Sequence, residues 1–323
     1  MIKSEIICDS LNPKGRRLTT YILEYPRYIH SEIMTHRVFS KNSASSRAIP
    51  IEKFIQQIKD NPAMPEHWGK NQSGMRANEE LDNVDKTEDW YLFSSDDDAE
   101  IEKVTKLEKA KRLWLLARNA AIGFAEELNR IGLHKQIANR ILEPWFHMRI
   151  ILSGTEFENF FALRAHKDAH PDLQKLAYLM LEQYNTSQPN KFKAGAWHIP
   201  FGDKMDEDRI NKLAASKYKE DTNNGVVDSY EHVDKIISNI QIKIAVARCA
   251  RISYYNYEGK DDYEADIKLC DRLFANTPKH LSPTEHVAQS MESDEWCGNF
   301  RGFKQFRKMF QDENLSDSRV VRK

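Results

Sequence analysis

The chain has 323 residues, 40% of them hydrophobic and 30% charged, with a formal net charge of −1. That length and apolar content support a sizeable core and exclude general disorder. The near-zero charge argues against a nucleic-acid binder held by its overall field.

Four cysteines, Cys8, Cys249, Cys270 and Cys297, stand far apart with no CxxC pair. They offer neither a zinc-ligand spacing nor a disulfide framework and suit a reducing compartment. No stretch reaches the roughly 20 apolar residues of a membrane span. The expectation is a soluble cytoplasmic protein with no metal and no membrane partner.

In chain order, "RRLTTYILEYP" (16–26) alternates apolar and polar residues and predicts a strand ending at Pro26. "RYIHSEIMTH" (27–36) follows as a short helix delivering His36 and Arg37 at its end. The next stretch reads as a loop: "THRVFSKNSASSR" (35–47) holds two arginines, a lysine, a histidine, an asparagine and four serines, with no acid among them. Guanidinium forks beside hydroxyl and backbone N–H donors suit phosphates and the carbonyl edges of planar heterocycles. An ordinary solvated basic loop is the alternative.

Residues 60–100 are rich in turn formers and close on the acidic run "SSDDDAE" (94–100), expected to cap the next helix. They read as an insertion or lid, or equally as a solvated surface loop. From about 100 to 132 the apolar spacing predicts a long amphipathic helix stopped by Gly132. "HKQIANRILEP" adds a shorter helix carrying Arg140 and ended by Pro144, and "EFENFFALRA" and "PDLQKLAYLMLEQY" predict two more, meeting near Pro171. Arg164, flanked by Phe160, Phe161 and Leu163, needs a partner if it is buried. Asp168 at i+4 and an anionic ligand both qualify, and the spacing does not choose between them.

Residues 185–230 are polar and turn-rich, which predicts a junction, with 200–230 as a linker between segments 1–200 and 231–323 of one catalytic domain. "IQIKIAVARCARISYYN" (240–256) is strand- or helix-like, with Cys249 a small buried residue. "DYEADIKLCDRLFAN" (262–276) and "GNFRGFKQFRKMF" (298–310) predict helices. In the latter Phe300, Phe303, Phe306 and Phe310 share one face, which reads as core rather than as a base-stacking platform. No GxGxxG opens a helix, and neither GxxxxGK[ST] nor HExxH occurs.

Three blocks together resemble flavin-dependent thymidylate synthases. "HRVFSKNSASSR" is similar to that family's R-H-R-x-x-S-x-N-E-x-S-x-R motif, with His36, Arg37, Ser40, Asn42, Ser45 and Arg47 in register. "SGTEFENFFALRAHKDAHPDLQKLA" resembles the block F-x-x-L-R-x-x-x-x-A-Q-x-E-I through Asn159, Arg164 and Ala169, and "ANRILEP" resembles the segment whose arginine grips the nucleotide phosphate. "ARCARISY" and "HLSPTEHV" look like the family's amino-terminal "AARVSY" and S/T-P-F-E-H elements, yet here they follow the histidine–arginine motif. The resemblance therefore implies a circularly permuted member. Thr35 stands where the motif has its first arginine, Ser43 where it has glutamate, Thr284 where an aromatic is usual and His170 where glutamine is usual.

The resemblance implies an α+β fold, mixed helices packed on an antiparallel sheet, with permuted segment order. It implies methylation of dUMP to dTMP, with FAD as cofactor and 5,10-methylenetetrahydrofolate and NADPH as co-substrates. Arg164 would be catalytic. Glu32, Ser43, Ser45, Ser46, Arg47, Arg140 and Arg164 would bind dUMP; His36, Arg37, Val38, Asn42, Asn159 and Ser282 would bind FAD. A homotetramer with shared active sites is implied, and no nucleic acid. A related flavin- and folate-dependent nucleotide modification, such as hydroxymethylation, is the alternative. A nucleic-acid-binding protein using the basic loop and residues 300–310 is the weakest reading.

Overall fold

The computed structural model describes residues 1–74, 77–84, 86–88, 103–224, 229–253 and 261–313. Strands β1 (Lys3–Leu11) and β2 (Arg17–Pro26) form the first hairpin, followed by the short helix α1 (His30–Met34), strand β3 (Ser40–Ser43) and helix α2 (Ile51–Asp60). A small antiparallel pair, β4 (Lys86–Glu88) with β5 (Lys103–Thr105), precedes α3 (Lys106–Arg130). Thr105 starts that helix: its hydroxyl accepts the backbone N–H of Glu108, whose carboxylate takes the Thr105 N–H in return. Gly132, at φ 86°, ends it.

Then come α4 (Lys135–Ala138), a 3-10 turn over Asn139–Trp145, strand β6 (His147–Gly154), and helices α5 (Glu158–Arg164) and α6 (Pro171–Thr186). Short strands β7 (Asn190–Lys191) and β8 (Trp197–His198) precede α7 (Glu207–Asn223), α8 (Tyr230–Ser253) and α9 (Tyr263–Ala275). The chain continues through a 3-10 turn over Ser282–His286, then β9 (Ala288–Ser290), β10 (Trp296–Cys297), β11 (Phe300–Arg301) and β12 (Phe303–Gln305).

The main sheet has the order β3–β6–β2–β1–β7. Its pairs are antiparallel except β1 with β7. Strand alternation sends Tyr21, Leu23, Ile150 and Leu152 to one face, where they join Phe54, Phe157, Leu173 and Met180 in the largest apolar core. The opposite face offers Ile7 and Ile151, which pack with Cys249 and Ile252 of α8. Each such fully buried apolar side chain contributes roughly 1.5–3 kcal/mol, so both faces of β6 are committed. A second core gathers α7, α8 and α9 around Ile210, Ile244, Val246 and Leu273. The architecture is α+β, with helices packed on an antiparallel sheet. Among the described residues no helix is long and apolar enough to cross a membrane, and no group of three His, Cys, Asp or Glu is placed to hold a metal.

Several expected elements differ. The 35–47 stretch is not all loop: Ser40–Ser43 pairs with β6 from Ser40↔Ser153 to Ser43↔Ile150. The 200–230 linker contains a helix, α7, capped by Asp206, whose carboxylate accepts the Arg209 N–H. The helix expected over 298–310 is broken into β11, β12 and a 3-10 turn, because Gly298 and Gly302 adopt φ 67° and 75° and end any helical run. The expected core role holds for Phe300 and Phe303, both buried. The long helix begins at Lys106 with Thr105 as its cap, and the acidic run 94–100 lies outside the described residues. The undecided 240–256 stretch is helical through Ser253. Strands β1 and β6 were not expected.

Candidate functional site

Arg164 sits in the last turn of α5, at the helix end where the backbone partial charge is negative and a cation is favoured. Its Nε–H donates to His36 Nε2 at 3.0 Å, its Nη2 donates to Thr35 Oγ1 at 3.3 Å, and its Nη1 lies 3.9 Å from the Glu32 carboxylate. The α1 turn supplies all three partners, and the Thr35 hydroxyl donates in turn to the Glu32 carbonyl at 2.6 Å. Asp168, the internal partner weighed from sequence, faces His166 at 3.6 Å instead.

Burial, then the Arg164 and Lys41 charges, push the His36 ring down to about 4. The ring is therefore neutral near pH 7. Its Nε2 accepts from Arg164, which leaves the proton on Nδ1. Phe160 meets the ring edge-on at 5.0 Å between centroids, and Phe39 lies at 6.1 Å. Lys41 closes the turn from below, donating to the carbonyls of Ile33 (3.4 Å) and His36. Burial lowers the Lys41 ammonium to about 8.

A second group forms where β3 meets the carboxy-terminal part. Asn42 is buried, and its Nδ2 lies 3.5 Å from Ser282 Oγ, across 240 residues of sequence. Rotating the amide half a turn lets Nδ2 donate to the carbonyls of Lys41 (3.1 Å) and Ser282 (3.3 Å). Either orientation ties Asn42 to Ser282. The two residues line a cavity of about 310 Å³ together with Ser253, Lys279, His280 and Arg307. Next to it the Ser45 N–H donates to the Ser253 carbonyl at 3.2 Å.

A third group centres on Glu143. Its Oε1 accepts from Ser46 Oγ at 2.6 Å and from Arg140 Nη1 at 2.7 Å, and its Oε2 lies 3.9 Å from Arg27 Nε. Asn139 holds the backbone beside it by donating to the carbonyls of Ser46 (2.7 Å) and Ile49 (3.0 Å).

The structure thus joins Arg164 with His36 and Glu32, Asn42 with Ser282, and Ser46 with Arg140 through Glu143. Ser43 is half-buried on β3 opposite Ile150. Arg37, Val38, Arg47 and Asn159 are exposed; Arg47 Nε donates to Ser45 Oγ at 3.4 Å. None of these four is bonded to the Arg164 group. Sequence reasoning missed Glu143, Lys41 and the Lys279–Arg307 side of the cavity. Lys41 lay inside the basic stretch, but only the β3 register shows that it turns back onto α1.

The family model described as thymidylate synthase complementing protein matches residues 17–190. Among solved structures, one similar to this chain is a UMP/dUMP methylase, PolB, from Streptomyces cacaoi bound with 5-Br UMP. It shares 14% sequence identity, covers 57% of this chain and 89% of its own, and superposes with a TM-score of 0.40. No curated protein matches the chain significantly.

Proposed function

Because the chain belongs to the thymidylate synthase complementing protein family, whose model spans residues 17–190, we propose that it is a flavin-dependent thymidylate synthase. The reaction converts dUMP, 5,10-methylenetetrahydrofolate, NADPH and a proton into dTMP, tetrahydrofolate and NADP⁺. The observation that carries this reading is the convergence of Asn42 and Ser282, from blocks 240 residues apart, on one cavity.

The cavity's donor set suits a flavin dinucleotide. An amide and hydroxyls match the polar edge of a planar heterocycle. Lys279 and Arg307 would turn to phosphates in competition with their internal partners, Asp312 for Lys279 and Glu285 and Glu313 for Arg307. Asn42, Ser282, His36, Arg37, Val38 and Asn159 would hold FAD, which supplies the redox chemistry that no side chain can. Ser43, Ser45, Ser46, Arg47 and Arg140 would hold the nucleotide, the arginines gripping its phosphate. Glu32 would flank the base.

Arg164 is the residue assigned to catalysis. Two arms of its guanidinium are fixed by His36 and Thr35, while among the described residues Nη1 has only the long 3.9 Å approach to Glu32. A positive group held this way, already oriented, stabilises negative charge developing on the uracil carbonyl. The neutral state of His36 matters here, since a protonated ring could not accept the Arg164 N–H.

We read the segment order as permuted: the "ARCARISY" and "HLSPTEHV" blocks lie beyond the matched residues 17–190, yet Ser282 meets Asn42. A cytoplasmic homotetramer with shared active sites belongs to the same proposal. The test is the visible absorption of the purified protein with and without FAD, followed by NADPH consumption that requires both dUMP and methylenetetrahydrofolate. Mass spectrometry should find one added methyl group on the nucleotide; an added oxygen would favour hydroxymethylation. A protein that takes up no flavin overturns the proposal.

A further inference from the structure

Strand register places four small polar or thiol side chains in one row across the sheet. Cys8 on β1 faces Thr20 on β2, Thr20 faces Ser153 on β6, and Ser153 faces Ser40 on β3. Directly paired residues point to the same face of a sheet. That face also carries Ile7 and Ile151, against which α8 packs. Thr20, Ser153 and Ser40 are all buried, where aliphatic residues would be the ordinary choice.

The Cys8–Thr20 end of the row meets His198 on β8, and the Ser153–Ser40 end meets the 282–305 segment. His198 Nδ1 lies 2.8 Å from Ser10 Oγ and 3.4 Å from Cys8 Sγ, and its Nε2 lies 2.9 Å from Thr20 Oγ1. Thr20 Oγ1 and Ser153 Oγ are 2.7 Å apart, and Ser153 Oγ lies 2.9 Å from His286 Nδ1. Ser40 Oγ accepts from Gln305 Nε2 at 2.8 Å and from Asn299 Nδ2 at 3.2 Å. Gln305 also donates to the Glu285 carbonyl at 2.9 Å. His198, His286 and Gln305 are all buried, so these polar groups depend on one another for satisfaction.

The row lies beside the candidate site. Asn42 is two residues beyond Ser40 on the same face of β3, and Ser282 opens the 3-10 turn that ends at His286. We propose that the Ser153–Ser40 end of this row is a docking strip on which the 282–305 segment is seated, with Ser40 and Ser153 as positioning residues that set the gap between Asn42 and Ser282. The proposal rests on the flavin reading of that gap. Two blocks so distant in sequence have no short connection to hold their spacing, and an apolar contact could slide by a fraction of an ångström. Directional bonds to Ser153 and Ser40 fix both ends of the segment.

Hydrogen exchange of peptides covering 282–305, measured without flavin, and FAD affinity by fluorescence test the proposal separately. Ser40→Ala should accelerate exchange in that segment and weaken FAD binding about tenfold, while exchange in α6 stays as in the parent protein. If Ser40→Ala does not fold, Asn299→Ala removes one of the two amide donors from a partly exposed position, with an expected loss of roughly threefold. Unchanged exchange in 282–305 overturns the proposal, as does accelerated exchange with unchanged FAD affinity. Accelerated exchange in a protein whose parent form binds no FAD keeps the docking strip and removes the flavin reading.

Discussion

The Nε–H of Arg164 donates to Nε2 of His36 at 3.0 Å, joining the last turn of one helix to the motif that follows another. The contact fixes the guanidinium plane without neutralising its charge, because the accepting ring is itself neutral. Arg164→Ala should lower turnover by about 100-fold or more with the fold intact, since α5 is anchored independently by Phe157, Phe160 and Phe161. Arg164→Lys should rescue little, because an ammonium cannot hold the His36 and Thr35 contacts in one plane. Circular dichroism beside steady-state kinetics decides the matter: an unfolded Arg164→Ala protein would make this residue structural.

The buried histidines set how stability depends on pH. His198 and His286 are fully buried, and burial takes both rings down to about 3. In the unfolded chain each titrates near 6.5, so between those values the unfolded state binds more protons and stability rises with pH. The contribution is complete above about pH 6.5 and is lost progressively as pH falls toward 3, by at most about 1.4 kcal/mol per pH unit for each ring. Urea midpoints measured from pH 7 to pH 4 should fall steadily. His286→Asn should flatten that slope by about one proton, since an amide can still bond Ser153 but does not titrate; an unchanged slope would place the acid sensitivity elsewhere.

Much of this was legible in the sequence, and what was not has identifiable causes. Helices α3 and α6 announce themselves because each has one face against the core, so their apolar residues follow a single period. Strand β2 is legible from its β-branched and aromatic residues ending at Pro26. Strand β6 does not: "HMRIILSG" is buried on both faces, and a continuous apolar run carries no period to read. Strand β3 is composed of Ser, Lys, Asn and Ser, a sequence with no strand propensity; its pairing with β6 is imposed by tertiary contacts. At the site, Arg164, His36, Asn42 and Ser282 were reachable through motif resemblance. Glu143 was not, because a single glutamate three residues after an arginine reads as a surface ion pair.

Glu143 has a direct consequence for the nucleotide. Its carboxylate already takes donors from Ser46 and Arg140, at 2.6 and 2.7 Å, both of which the proposed function assigns to dUMP. A phosphate arriving at Arg140 must compete with that internal anion. Glu143→Gln should therefore lower the dUMP concentration giving half-maximal rate by about three- to tenfold and leave binding of uncharged deoxyuridine unaltered. Arg140→Ala should act in the opposite sense on dUMP. Equal effects on nucleotide and nucleoside would show that the carboxylate only shapes the loop.

Gly154 links the sheet to the motif by the absence of a side chain. A Cβ built there falls 2.5 Å from Phe39 Cδ1 and 2.9 Å from Cε1, closer than carbon atoms tolerate. Phe39 cannot retreat freely, because its ring is held by Phe157 at 4.8 Å and Phe160 at 5.6 Å and it backs the His36 ring. Gly154→Ala should cost about 1–3 kcal/mol of stability and lower turnover more than the stability loss explains, since the displaced Phe39 carries His36 away from Arg164. Adding Phe39→Leu should relieve the clash and recover stability while leaving turnover low, because leucine no longer supports the imidazole. Recovery of both together would mean that Phe39 fills space but does not orient His36.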